Sequence, residues 1–253
     1  MQISGKKAAV IGGASGMGRA TAEALAAAGA SVAVLDRESS DGAKVAEAIG
    51  GTFHPIDVTD FAGAESSLQS AVDGLGGLHI AVTTAGGGFP GGRTLGKDGP
   101  HDLEMFRKTL DLNVVATFNL NRLSAVHMAK NEPEDEERGV LINTASIAAF
   151  EGQIGQVAYS AAKAAIAGMM LTMARDLGAV GIRALAIAPS LFETGAVAGM
   201  PAEMVPPLVA GNAFPKRMGR PEEYAKLALA IIDNPMLNGQ CLRLDAGMRF
   251  APK

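Results

Sequence analysis

The sequence predicts an α/β fold in which one doubly wound parallel sheet carries helices on both faces. Three observations predict it. Short apolar runs alternate with amphipathic stretches along all 253 residues. A glycine-rich turn closes the first run and opens the first amphipathic stretch. No linker, internal repeat or low-complexity tract interrupts the pattern, so residues 1–253 read as a single domain.

Seven runs, at 8–12, 31–36, 52–56, 78–83, 140–144, 183–188 and 241–245, are rich in Val, Ile and Ala and are bounded by Gly, Asp or Pro. That is the pattern of strands buried on both faces. Between them, 18–28, 40–49, 61–75, 103–130, 157–177 and 221–233 read as helices. Such a sheet binds ligands in the crevice beyond the carboxyl ends of its strands. Three segments break the rhythm. Residues 86–100, with seven glycines, read as a flexible loop after the fourth strand. Residues 131–139 are strongly acidic and read as a solvated surface loop. Residues 190–220, broken by prolines, follow the sixth strand where a substrate lid would sit.

Bulk properties narrow the function. Apolar residues make up 48% and charged residues 19% of the chain, enough for a packed core. No apolar stretch reaches a membrane span without Gly or a charge, so the mean hydropathy of +0.19 is assigned to buried strands and subunit contacts, not to a membrane. A net charge of −4 leaves no electrostatic footprint for nucleic acid. The four histidines lack ligand spacing, so no metal is expected, and the single Cys241 reads as a bland thiol in a strand. Residues 1–7 lead directly into the first strand, which makes a cytoplasmic protein the expectation.

The turn Gly12-Gly-Ala-Ser15-Gly16-Met17-Gly18 suits a pyrophosphate, because glycines let the backbone approach and a helix N-terminus then presents free N–H groups. Asp36 ends the second strand. A carboxylate there can accept both hydroxyls of an adenosine ribose and would repel a 2′-phosphate, which favours NAD over NADP; Arg37 is the counterweight. Asp57 and Val58 are placed to meet the adenine, although Asp57–Asp60 is also a good helix N-cap sequence. Thr84, Ala85 and Gly86 are small and end the fourth strand, where a cofactor could lie close.

Tyr159 and Lys163 are four apart and stack on one helix face, and Ser146 ends the fifth strand. An ammonium about 4 Å from a phenol, at an effective dielectric near 20, contributes about 4 kcal/mol. That would bring a tyrosine pKa from about 10 toward about 7, where it serves as general acid or base. Ser146 can hold a substrate oxygen. Asn113, a poor helix former within 103–130, marks a local break able to hold a water leading to Lys163.

With Ser146, Tyr159 and Lys163 in that order after the glycine turn, the chain resembles the short-chain dehydrogenase/reductase family over essentially its whole length. The resemblance implies a Rossmann-type seven-stranded sheet and a homotetramer. It also implies NAD contacts from Ser15, Met17, Asp36, Asp57, Val58, Thr84, Tyr159, Lys163 and Phe192, with Pro189 and Thr194 beside them. Substrate would meet Ser146, Gln156 and Tyr159. Residues 131–134, 138–146, 149–156, 174–177, 188–192 and 222–225 are similar to the branch acting on 3-hydroxyacyl-CoA thioesters, for which the acidic segment is distinctive. This implies reversible oxidation of a 3-hydroxyl to a 3-oxo group, with Arg93, Lys97, Lys216 and Arg217 as candidates for CoA phosphates against a plain surface role. Two rival readings are a steroid or other secondary alcohol as substrate, and a non-catalytic scaffold. Three positions depart from the family pattern: Ile11, Thr83-Thr84 and Ser190 replace the usual Thr, Asn-Asn and Gly, which puts a hydrogen bond between the first and fourth strands in doubt.

Overall fold

The computed structural model describes residues 1–88, 91–197 and 200–252. Its seven main strands are β1 (Lys7–Ile11), β2 (Ser31–Asp36), β3 (Thr52–Pro55), β4 (Ile80–Thr83), β5 (Gly139–Thr144), β6 (Ile182–Pro189) and β7 (Cys241–Leu244). They form one parallel sheet in the order β3-β2-β1-β4-β5-β6-β7, as the alternation predicts. The order reverses between β1 and β4, and there the crevice opens. β4, β5 and β6 are buried along their whole length, which is why they read as unbroken apolar runs.

Two layers cover the sheet. On one face α3 (Phe61–Leu75), α5 (Ala116–Met128) and α6 (Val157–Gly178) pack against a core that includes Leu68, Leu120, Leu141 and Ile166. On the other, α1 (Gly16–Ala27), α2 (Gly42–Ala48) and α8 (Pro221–Asp233) close over Val10, Val34, Ile142 and Tyr224. Among the described residues α6 is the one helix long and apolar enough to cross a membrane, by length and composition alone. In this fold its buried side lies on β6.

Four expectations change. The helix expected over 103–130 is α4 (Leu103–Leu110), a π turn at Asp111–Val115 and then α5, so the break falls on Asn113 as its poor propensity foretold. The 190–220 segment is partly ordered, with two 3₁₀ turns and the short α7 (Val205–Val209), because Pro206 and Pro207 sit in the first turn, where a missing N–H costs nothing. Part of 86–100 forms a two-residue ribbon, Leu95–Gly96 against Gly99–Pro100.

The fourth concerns 131–139: residues 132–136 are exposed, as a surface loop requires, but the segment is also a structural clamp. Glu137 is buried and accepts from Arg183 Nε at 2.7 Å and from the Met1 amino group at 2.9 Å. Arg183, equally buried, also donates to the carbonyls of Ile231, Ile232 and Leu237. Asn131 Nδ2 reaches the carbonyls of Leu78 and Arg138, and Glu134 pairs with Lys6. The periodicity-free acidic composition hid a charge answered from β6. Replacing Glu137 with Ala strands the guanidinium and is expected to cost about 3–5 kcal/mol. Urea denaturation at fixed protein concentration checks this; a loss below about 1 kcal/mol would return the segment to the solvated class.

Candidate active site

The cleft starts at the glycine turn. Ser15 precedes α1 as its N-cap without a side-chain capping bond, and the first turn holds no acidic residue. Its free N–H groups and dipole therefore suit a diphosphate. Gly16 has φ of 50° and lies so close to Thr194 that a Cβ would sit 2.8 Å from its methyl carbon. A Cβ on Gly12 or Gly18 would run into Thr84 and its surroundings. Met17 is half-buried on the α1–α8 side.

Asp36 braces this turn. Its Oδ2 accepts from Ala14 N at 2.9 Å and its Oδ1 from Arg37 N at 2.8 Å, which leaves lone pairs for a ribose at the rim. Arg37 is exposed. The bond in doubt between the first and fourth strands is rebuilt: Thr84 Oγ1 reaches the carbonyls of Ile11 at 3.2 Å and Gly12 at 3.1 Å. Thr84 N and Ala85 N also donate to Ile11 O. Asp57 is turned onto Thr59, whose N–H and hydroxyl hold its carboxyl below the usual range, while Asp60 caps α3. The side chains of Val58 and Phe192 are in the core, so only their backbones are left to face a cofactor. Pro189 closes β6 beside Leu244.

Tyr159, Lys163 and Ser146 converge at the carboxyl end of β5. Ser146 caps a 3₁₀ turn at Ile147–Ala149 by accepting from Ala148 N at 3.1 Å, which fixes its side chain beside Tyr159. Lys163 is buried, and its ammonium donates to Thr144 O at 2.9 Å and lies 5.7 Å from the centre of the Tyr159 ring. Gly86 touches both partners of the lysine pocket: a Cβ there would stand 2.9 Å from Asn113 Oδ1 and 3.5 Å from Lys163 Nζ. Asn113, fully buried, holds the following loop, donating to Gly87 O at 2.8 Å and Thr109 O at 2.9 Å and accepting from Gly87 N. Its side chain thus braces the loop.

The electrostatics correct the simple ion–phenol picture. Burial pushes the Tyr159 phenol above its ordinary value, and the neighbouring Ser146 hydroxyl opposes that shift. Burial also lowers the Lys163 ammonium from 10.5 to about 8. The charge rests on a carbonyl and lies 5.7 Å from the ring centre, and desolvation outweighs its attraction for the phenolate.

A cavity of about 450 Å³ opens over Tyr159 and is lined also by Gln156, His101, Met105, Thr109 and Ile154. Gln156 begins α6, its amide turned back to Gln153. His101, Met105 and Thr109 escaped the sequence reading, although their spacing of four was a signal. Arg93 lines an adjoining hollow that shares Ile154 and Gly155 with this cavity, and Lys97 is exposed on the ribbon. Arg217 is held bidentately by Glu223 and Lys216 by backbone carbonyls, so neither is free for a phosphate.

The profile of the short chain dehydrogenase family matches residues 6–204. The chain belongs to that family. This short chain dehydrogenase is 48% identical over 247 residues to 3-hydroxyacyl-CoA dehydrogenase type-2 of Drosophila melanogaster, covering 96% of this chain and 97% of that one. A crystal structure of 3-hydroxyacyl-CoA dehydrogenase type-2 from Mycobacterium avium superposes with a TM-score of 0.93 at 41% identity, over 98% of each chain. A 7α-hydroxysteroid dehydrogenase complexed with NADH and 7-oxo glycochenodeoxycholic acid superposes at 0.86 and 30% identity, over 100% of this chain and 97% of that one.

The lysine has a consequence for stability. A base whose folded pKa is lowered is destabilising while charged, and that cost fades as pH rises from about 8 to 10.5. At 1.36 kcal/mol per unit it amounts to about 3 kcal/mol. Lys163→Met is therefore expected to stabilise the cofactor-free protein near pH 7 and to lose most of that advantage by about pH 10. Denaturation of both proteins at the two pH values checks the sign; a gap independent of pH refutes it.

Proposed function

We propose that this protein catalyses the reversible NAD-linked oxidation of a 3-hydroxyacyl-CoA to the 3-oxoacyl-CoA. The observation that carries the reading is the meeting of Tyr159, Ser146 and Lys163 beneath one cavity, next to an uncapped helix N-terminus. The relatives named for that activity, at 48% and 41% identity over nearly whole chains, support the substrate class. The NADH held by the steroid-dehydrogenase neighbour, and the Asp36 carboxylate at the rim, support NAD.

In this reading the turn at Gly12, Gly16 and Gly18 holds the pyrophosphate and Asp36 the adenosine ribose. Ala85 and Gly86 let the ring end lie close, beside Pro189, the backbone of Phe192, and Thr194. Lys163 holds the second ribose. Bound there, the nicotinamide supplies a hydride acceptor. Ser146 orients the substrate oxygen by hydrogen bonding. Tyr159 Oη takes the proton of the 3-hydroxyl during oxidation and returns it during reduction. Gln156 and the 86–100 and 190–220 segments frame the acyl group, and Arg93 on the adjoining hollow is the candidate for a CoA phosphate. We also propose a homotetramer: Phe118 and Val126 on α5 and Val157 and Leu171 on α6 are exposed apolar side chains, and β7 is a half-exposed edge strand.

Purified protein is expected to reduce acetoacetyl-CoA with NADH and to do so poorly with NADPH. Tyr159→Phe is expected to lower kcat by about 10²–10⁴-fold with NADH affinity nearly preserved. Steady-state kinetics over acyl-CoA and steroid panels check both. Efficient turnover of steroids alone moves the substrate, and an unimpaired Tyr159→Phe enzyme refutes the chemistry.

A further inference from the structure

A chain of hydrogen bonds runs from Lys163 through Thr144 to the far side of the sheet. The Lys163 ammonium rests on the carbonyl of Thr144, and the hydroxyl of the same threonine donates to Thr83 O at 2.8 Å. A threonine has one hydroxyl hydrogen, so the 2.7 Å contact between Thr144 Oγ1 and Tyr224 Oη is donated by the tyrosine. Tyr224 lies on α8, packed with Val10, Val34 and Ile142, whereas Lys163 comes from α6 on the opposite face. We propose that Tyr224 is a positioning residue for Lys163, holding the end of β5 so that the Thr144 carbonyl meets the ammonium.

Three features carry this. Tyr224 is fully buried, and a buried hydroxyl is costly unless it has a partner; its recorded bond is the one to Thr144. Thr83 ends β4, which borders the crevice, and Thr144 ends β5 beside it, so the threonine that Tyr224 holds also ties the lysine anchor to the strand end leading to Thr84. The neighbouring Glu223 is bound bidentately by Arg217 and accepts from Arg220 N at 2.8 Å, which seats this end of α8 against the 190–220 segment. Around the ammonium, α6 contributes Tyr159, β5 the Thr144 carbonyl and Ser146, the π turn Asn113 and the loop after β4 Gly86; among the described residues no carboxylate pairs with Lys163.

The inference rests on the proposed roles of Lys163 and Tyr159, and its test is separable from the choice of substrate. Any secondary alcohol that the wild-type enzyme oxidises with NAD will serve. Tyr224→Phe removes one oxygen. A cation 5.7 Å from the Tyr159 ring favours the phenolate even where burial dominates, and held less well it favours it less. The rising limb of kcat against pH is then expected to move up by about half a unit to one unit, and kcat at neutral pH to fall about 3–10-fold. Thr144→Val, which removes the acceptor, is expected to give the same shift, and the double variant no more than either single one. A lower Tm with kcat and its pH limb unchanged in both variants would make Tyr224 a purely structural residue and overturn the proposal. Wild-type protein inactive on acyl-CoA but active on another alcohol would sink the substrate reading and leave this test in force.

Discussion

A buried cation organises this site. Lys163 is drawn into the sheet's crevice by α6, and a charge there costs free energy unless dipoles answer it. The Thr144 carbonyl answers it at 2.9 Å, the Tyr159 ring lies 5.7 Å away, and Gly86 and Asn113 wall the pocket. Each fixes an element. The π turn places Asn113, Gly86 keeps the loop close, and the strand end of β5 carries both the carbonyl and, two residues on, Ser146. Satisfying one buried ammonium thus assembles the residues that can move a proton at the mouth of the cavity.

The crevice itself depends on how closely β1 and β4 approach at the point where strand order reverses. Thr84 bonds the carbonyls of Ile11 and Gly12, and Gly12 and Gly18 leave that hydroxyl its space. In a family where other residues usually make this link, the chain uses a threonine of the fourth strand end to the same purpose. The cofactor bed and the proton-transfer set are therefore not independent. They share strand ends, and the Thr83–Thr144–Tyr224 bonds join them through the sheet.

Much of this was readable along the chain. Seven apolar runs gave seven strands within a residue or two, because the five central strands are largely buried on both faces and must be apolar. The glycine turn, Asp36 and the Ser146–Tyr159–Lys163 order could be read because each is local or tied to a strand end. What escaped is non-local. Glu137 looked like one more surface acid until β6 supplied Arg183, and Arg217 looked free until α8 supplied Glu223. His101, Met105 and Thr109 line the cavity only because α4 lies across the mouth of α6.

The sequence by itself determined the α/β alternation, the turn that opens α1 and the residue types able to bind a dinucleotide and exchange a proton, since these follow from periodicity, backbone permissiveness and side-chain chemistry. Tertiary structure alone decided the electrostatic state of the site. A spacing of four brings Tyr159 and Lys163 to one helix face, but burial is set by β5, the π turn and the loop after β4. Desolvation acts on both groups at once, and no linear reading of residues measures how much water remains.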